Sequence, residues 1–452
     1  MYTVLKQLRA VFILVGMLKK GDKKLINAWA FYDWANSVYS LVISTAVFPI
    51  YYSSITESFS NIEGKISFLG TEWTPTTLYN YTLAVSFLVV AFISPILSGI
   101  ADYTGNKLKF LKAFCLLGAL SVMSLFFFEG EKTLWVGIVF TILAGIGFWG
   151  SIVFYNAYLP EVAFPEQQDK VSAKGFMMGY SGSILLLLLS LVMVNKPEYF
   201  GLPNAGFASR VTFLLVGIWW LGFAQITYRR LPNNVFNRKP EKDFIWKGLR
   251  ELKVVALELK SHPELKFFLL SFFMYSVGVQ TIILMAGIFG SKELGLPTMN
   301  LILVILVVQI VAIIGAFLFS RLSDKIGNIS TLKITIGIWA LVCFIAFSLD
   351  KSQDYVDYYF YGLGALIGMV MGAIQSLSRS TYSKLLPDTE DHATYFSFYD
   401  VTEKIAIVFG MLVFGFLISV SGSMQWSVLF LAIFFLISFV LLNFVRKTTY
   451  VQ

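Results

Sequence analysis

Three groups of polar residues interrupt stretches that are otherwise apolar, and their types suit proton transfer and the binding of charged solutes. In 30-AFYDWANSVYS-40 and the residues that follow, Asp33, Asn36, Ser37, Ser40 and Ser44 fall at i, i+3, i+4, i+7 and i+11, which is one face of a helix. In 396-FSFYDVTEKIAIVFGM-411, Asp400 and Lys404 stand four apart and can pair along one helix, while Glu403 has no evident partner on it. Gly364, Gly368, Gly372, Gln375 and Arg379 also recur at helical spacing, small residues first and donors last. A carboxylate withdrawn from water holds a proton more readily, which makes Asp33, Asp400 and Glu403 the proton-coupling candidates. Arg379 can grip a substrate carboxylate through two hydrogen bonds, or reach from a helix end to the interface. Each stripe has a plainer use as well, because Ser and Asn tie helices together without any part in transport.

Such groups need helices that cross a bilayer. Of the 452 residues 57% are hydrophobic and 14% are charged, where soluble domains carry roughly 25% charged residues. Twelve apolar stretches, from 27–52 to 425–445, approach the roughly 20 residues that span hydrocarbon. The expected fold is therefore an all-α membrane protein with twelve transmembrane helices, divided into six-helix bundles at 26–230 and 266–446. Residues 1–25 have basic residues on both sides of a short apolar centre and no small-residue cleavage site, so they are expected to lie on the membrane surface. The linker, 231–265, carries Ile245, Leu249, Leu252, Ala256 and Leu259 at helical spacing and reads as a surface helix; 447–452 form a tail.

Charge sets the expected orientation. Six loops on one side hold Lys65, Lys132, Lys196, Arg210, Lys292 and Lys351, and 35 less these six leaves 29 basic residues on the side of the termini and linker. That side is expected to be cytoplasmic, as in a bacterial inner membrane. The formal charge of +8 then reads as adhesion to anionic lipid rather than to nucleic acid. Cys115 and Cys343 fall inside spans as small core residues, and His262 and His392 fall in inner loops. No metal-ligand cluster, catalytic constellation or phosphate-binding loop is evident, so neither a cofactor nor enzymatic or ATP-driven chemistry is expected.

The two halves repeat. After the second span comes 98-SGIADYTGNK-107, and after the eighth comes 320-SRLSDKIGNI-329, so that Asp102 and Gly105 align with Asp324 and Gly327 at an offset of 324 − 102 = 222. Glycine permits a turn closed to other residues, and the aspartate can cap a helix or pair with a base. The motif resembles the inner-loop signature of the major facilitator superfamily, with Ser98 and Ser320 in place of its first glycine and Asn106 and Asn328 in place of a common arginine. That resemblance implies two pseudo-symmetric bundles that rock about a central site.

A narrower resemblance runs through WAFYDWANSVYS, 155-YNAYLPEVA-163, 201-GLPNAGFASRVTFLLVGIWW-220 and 375-QSLSRSTYSKLLP-387. These look like the vacuole-effluxer branch, which includes autophagy-related exporters of amino acids from fungal vacuoles and many bacterial members. In this superfamily the inner ends of the fourth, fifth, tenth and eleventh helices meet, so the resemblance implies an inner gate in which Glu161 or Asp400 faces Arg379, Lys174 or Lys404. Residues expected along the substrate cavity are Tyr32, Asn36, Ser40, Trp149, Tyr155, Asn156, Gln280, Gln375 and Arg379. The leading expectation is a monomeric, proton-coupled secondary transporter of an amino-acid or peptide-like solute. An exporter or flippase of lipids or lipophiles, and a non-transporting sensor or scaffold, are the alternatives.

Overall fold

The computed structural model describes residues 19–233, 246, 250, 253–255, 257–258 and 261–445. Most of the N-terminal surface segment, the linker positions Ile245, Leu249, Leu252, Ala256 and Leu259, and the tail 447–452 lie outside the described residues.

Among the described residues, twelve helices are long and apolar enough to cross a membrane. In the first half they are α1 (Lys23–Glu57), α2 (Pro75–Thr104), α3 (Lys107–Phe127), α4 (Glu131–Val162), α5 (Pro165–Asn195) and α6 (Ala205–Tyr228). In the second they are α7 (Pro263–Lys292), α8 (Met299–Ile326), α9 (Asn328–Ser348), α10 (Val356–Leu385), α11 (His392–Ser421) and α12 (Met424–Phe444). Several outrun the apolar stretches because caps extend them into polar surroundings. Asp22 accepts from the backbone N–H of Lys24 and Leu25 to start α1, and Gly105, left-handed at φ +68°, ends α2.

Besides 3-10 turns at several helix ends and a break in α4 at Tyr158, two local features depart from α-helix among the described residues. The loop between α1 and α2 contains a short antiparallel hairpin, β1 (Ile66–Phe68) with β2 (Thr71–Trp73). Leu69 and Gly70 both take positive φ, as a two-residue turn matching the strands' twist requires. The second departure is π-helical winding of α1 over Tyr39–Ala46. The expected stripe runs into this segment, and its burial falls along the helix: Asp33 and Asn36 are buried, Ser37 and Ser44 are half-buried and Ser40 is exposed.

Packing reproduces the repeat. Within the first bundle α1 lies on α5 and α6, and α4 on α2 and α3; within the second α7 lies on α11 and α12, and α10 on α8 and α9. Between bundles α5 meets α8 and α10, and the equivalent α11 meets α2 and α4. Small residues permit the close approaches. A Cβ on Gly368 or Gly372 would collide with the α8 backbone at Val308 or Ala312, and one on Gly175 or Gly179 with Asp33 or Ser37 of α1.

Candidate functional site

The glycine face of α5 lets α1 carry Asp33 to the boundary between bundles, about 15 Å along the helix from Lys23. Arg379 of α10 reaches across it. Its Nη1 and Nη2 each donate to Asp33 Oδ2 at 3.2 Å, and the Tyr155 hydroxyl donates to the same oxygen at 2.8 Å. The guanidinium also donates to Ser172 Oγ at 2.9 Å, to the Ser172 carbonyl at 2.8 Å and to Asn156 Oδ1 at 3.2 Å. Trp29, Tyr155 and Phe176 present their rings to it, the closest centroid at 4.2 Å. Arg379 is thus saturated with partners and 3% exposed. It is neither a free carboxylate anchor nor an interfacial side chain in this state.

A second charged group lies about 12–18 Å along α11 from its start. Lys404 donates to Asp400 Oδ1 at 2.8 Å and to Glu403 Oε2 at 3.2 Å, and its Nζ stands 3.7 Å from the Trp149 ring of α4. Gln280 of α7 donates to Glu403 Oε1 at 2.8 Å. Glu403 therefore has partners on its own helix and on α7, contrary to the expectation from spacing. Asp400 Oδ2 is buried without a hydrogen-bond partner. Two carboxylates share one ammonium here, whereas Asp33 and Arg379 balance one to one.

The end of the molecule where α6 hands over to the linker, called here the linker face, carries a third set. Asp102 accepts from the backbone N–H of Ala393 at 3.2 Å and of Thr394 at 2.7 Å, and from the Thr394 hydroxyl at 2.9 Å. Its repeat partner Asp324 pairs instead with Lys170 at 2.7 Å, while Gly327 turns the chain at φ +84°. Asp169 at the start of α5 accepts from Ser323 at 2.8 Å and Asn328 at 2.7 Å and pairs with Lys384 at 2.8 Å. Among the described residues, the hydrogen bonds and ion pairs between bundles all fall in the linker-side half of the spans or at their midpoint, where Tyr180 donates to Gln375 at 2.6 Å. The bundles are latched at the linker face.

The gate pairs differ from those anticipated. Arg379 faces Asp33 rather than Glu161 or Asp400, and Glu161 binds Lys107 of its own bundle and His392, 3.2 Å away, from the other. Lys174 bonds to Asn27 of α1, and Asp400 and Lys404 pair with each other. His392, read as a loop residue, opens α11 and brings its ring within 3.2 Å of Glu161 across the bundle boundary. Tyr32 does not line a cavity; it is buried inside the first bundle near Cys115, Ser151 and Trp220. Tyr155 and Asn156 belong to the Arg379 cage, Gln280 and Trp149 to the α11 cluster.

Asp169, Ser172 and Lys384 escaped sequence reasoning, although a signal existed. The stretch 169-DKVS-172 aligns with 391-DHAT-394 at the same offset, 391 − 169 = 222, and both open the helices that cross between bundles.

A family profile described as "Vacuole effluxer Atg22 like" matches residues 21–449. The chain belongs to this vacuole effluxer family. It is 33% identical over 436 residues to the uncharacterized MFS-type transporter YxiO of Bacillus subtilis, covering 96% of this chain and 97% of that one. Autophagy-related protein 22-1 of Penicillium rubens is 24% identical over 477 residues, covering 85% and 77%. In fold the vacuole effluxer chain resembles the proton:xylose symporter XylE, at a TM-score of 0.69 and 15% identity over 94% and 96% of the two chains. The human organic anion transporter MFSD10 gives 0.66 at 14% over 93% and 98%. The protein is a multi-pass membrane transporter of the major facilitator fold, and not an enzyme.

Proposed function

We propose that the protein moves a small organic solute, amino-acid or peptide-like, by alternating access coupled to protons, with the linker face in the cytoplasm of a bacterium. The observation that carries this reading is the pairing of a charged latch with a separate unbalanced charge cluster, both at the bundle boundary. The Asp33 and Arg379 pair, with Glu161 and His392 nearer the linker face, acts as the inner gate. It holds the carrier closed to the cytoplasm and must part for the site to turn inward. Asp400 and Glu403 have an ammonium for only one of their two charges, and a buried unpaired charge is costly, so a proton there offsets the surplus. We assign proton coupling to that cluster, and Asp33 to the gate. The amino-acid character rests on the resemblance in sequence to exporters of amino acids from fungal vacuoles, and the proton symporters for xylose and fucose that share the fold support the coupling.

Reconstituted protein in vesicles with an imposed pH gradient tests the reading. Labelled amino acids or dipeptides should move against their gradient and stop when a protonophore is added. Movement of none of them, or movement indifferent to the protonophore, removes proton-coupled transport of this class.

A further inference from the structure

The α11 cluster already holds an ammonium, that of Lys404, and holds it as a recognition site would. An aromatic ring lies 3.7 Å from the nitrogen, and two carboxylates lie at 2.8 and 3.2 Å. One oxygen of Asp400 is left over, buried and without a partner. Glu403 is the accessible member, its side chain 19% exposed against 3% for Asp400 and 1% for Lys404. Among the described residues, the further groups that bear on the cluster carry no charge: Gln280 and Tyr275 of α7, Tyr399 of α11 itself and the Trp149 ring of α4. Arg379, which bears on Tyr399, is balanced by Asp33. The cluster therefore has room in its charge balance for one more cation. Because Trp149 comes from the other bundle, occupancy bears directly on how the bundles meet.

We propose that the cluster of Asp400, Glu403, Lys404, Gln280 and Trp149 binds the ammonium group of the transported solute in competition with a proton, so that the carrier exchanges one for the other. This rests on the transporter reading above. In the empty carrier one carboxyl keeps its proton. When the solute arrives, that O–H bond breaks, the proton leaves to water, and the R–NH3+ group takes its place beside the carboxylate. The net charge of the cluster is the same before and after, and no other reactant is needed. Only one of the two cations is held at a time, which makes their fluxes opposite.

The full-length protein in detergent, weakly buffered with a pH indicator, is titrated with isoamylammonium chloride, L-leucine and N-acetyl-L-leucine. At least one of the first two should release protons, approaching one per ligand bound, and N-acetyl-L-leucine should release none. Across a series from about pH 5 to 8 the apparent Kd should rise by up to about tenfold per pH unit of acidification where the site is protonated. Release with isoamylammonium alone identifies a simple amine as the ligand; release with leucine alone identifies a zwitterion that needs its carboxylate. Binding without proton release and at pH-independent affinity overturns the proposal, as does failure of both ammonium compounds to bind. Glu403→Gln, if it melts like the parent, should lose both affinity and proton release; retained release places the exchanged proton elsewhere and overturns the assignment. If a pH gradient drives transport while no ligand displaces a proton, this inference fails and the transporter reading stands. If the gradient drives nothing, the reading itself fails.

Discussion

The Asp33 and Arg379 pair joins the two bundles and is electrically balanced, whereas Asp400, Glu403 and Lys404 lie on one helix and carry one carboxylate too many. Both are buried at the bundle boundary, and both use aromatic rings beside the cation. The difference lies in what removal of a charge does. Taking one member from a balanced pair strands its partner, while taking one carboxylate from the surplus cluster leaves a neutral pair behind. A latch and a coupling site can thus be told apart by counting charges, before any ligand is known.

The largest expected effect comes from Arg379→Met, which leaves Asp33 without its cation and Ser172 and Asn156 without their donor. Breaking a buried pair from one side costs about 3–5 kcal/mol. The melting temperature should fall sharply, and cysteines placed on the linker-side ends of α5 and α10 should crosslink poorly. The double variant Asp33→Asn with Arg379→Met should recover most of the loss, because no charge is then stranded. If the single and double variants melt alike, the pair is not the latch.

Glu403→Gln should do the reverse. It leaves Asp400 and Lys404 neutral as a pair 2.8 Å apart, so stability should change by less than about 1 kcal/mol, in line with substitutions that strand no charge. Uptake or efflux driven by a pH gradient should nonetheless disappear. Equal destabilisation by Arg379→Met and Glu403→Gln would erase the contrast between the two regions.

Much of this contrast was legible in the sequence, and the rest was not for physical reasons. Asp400 and Lys404 pair along one helix, so a spacing of four was enough to find them. The repeat at Asp102 and Asp324 located the linker face because turn chemistry is local. By contrast, the partner of Arg379 lies 346 residues away, and choosing Asp33 over Glu161 depends on how α1 and α10 are placed by their glycines. The π-helical turn of α1 leaves no mark in hydrophobic periodicity, and the expected stripe is less buried where it runs into that turn. Tyr32 was misplaced for a plainer reason: one residue along an α-helix from Asp33, its side chain turns about a hundred degrees away, into the first bundle.

An effect of intermediate size separates the packing that brings the latch together from packing that bears on neither region. A Cβ at Gly175 would press on Asp33, on Tyr155 at 2.9 Å and on Arg379 at 2.9 Å, whereas one at Gly222 in α6 meets nothing within 4 Å. Gly175→Ala should cost about 1–3 kcal/mol by overpacking and weaken the closed linker face. Gly222→Ala should be neutral or gain up to about 1 kcal/mol from helix propensity. Thermal melts of the two variants, run beside linker-side crosslinking, check both.

The smallest effect is at Asp391, the repeat partner of Asp169. Asp169 is met by Ser323, Asn328 and Lys384, but Asp391 is surrounded differently: burial, and then the carboxylate of Glu258, push its carboxyl above the ordinary value. A group raised in the folded state contributes stability that is fully present below its unfolded value and is lost as pH rises through the folded one. At neutral pH the ionised Asp391 therefore burdens the closed structure, while in acid it does not. Asp391→Asn should raise the melting temperature slightly near pH 7 and leave it unchanged below about pH 4, under the unperturbed aspartate value. A gain that persists equally in acid would show that the charge is not the cause. A loss at neutral pH would mean that Asp391 ties the linker face together as its repeat partner does, and that the two halves of the linker face are more alike than their present partners indicate.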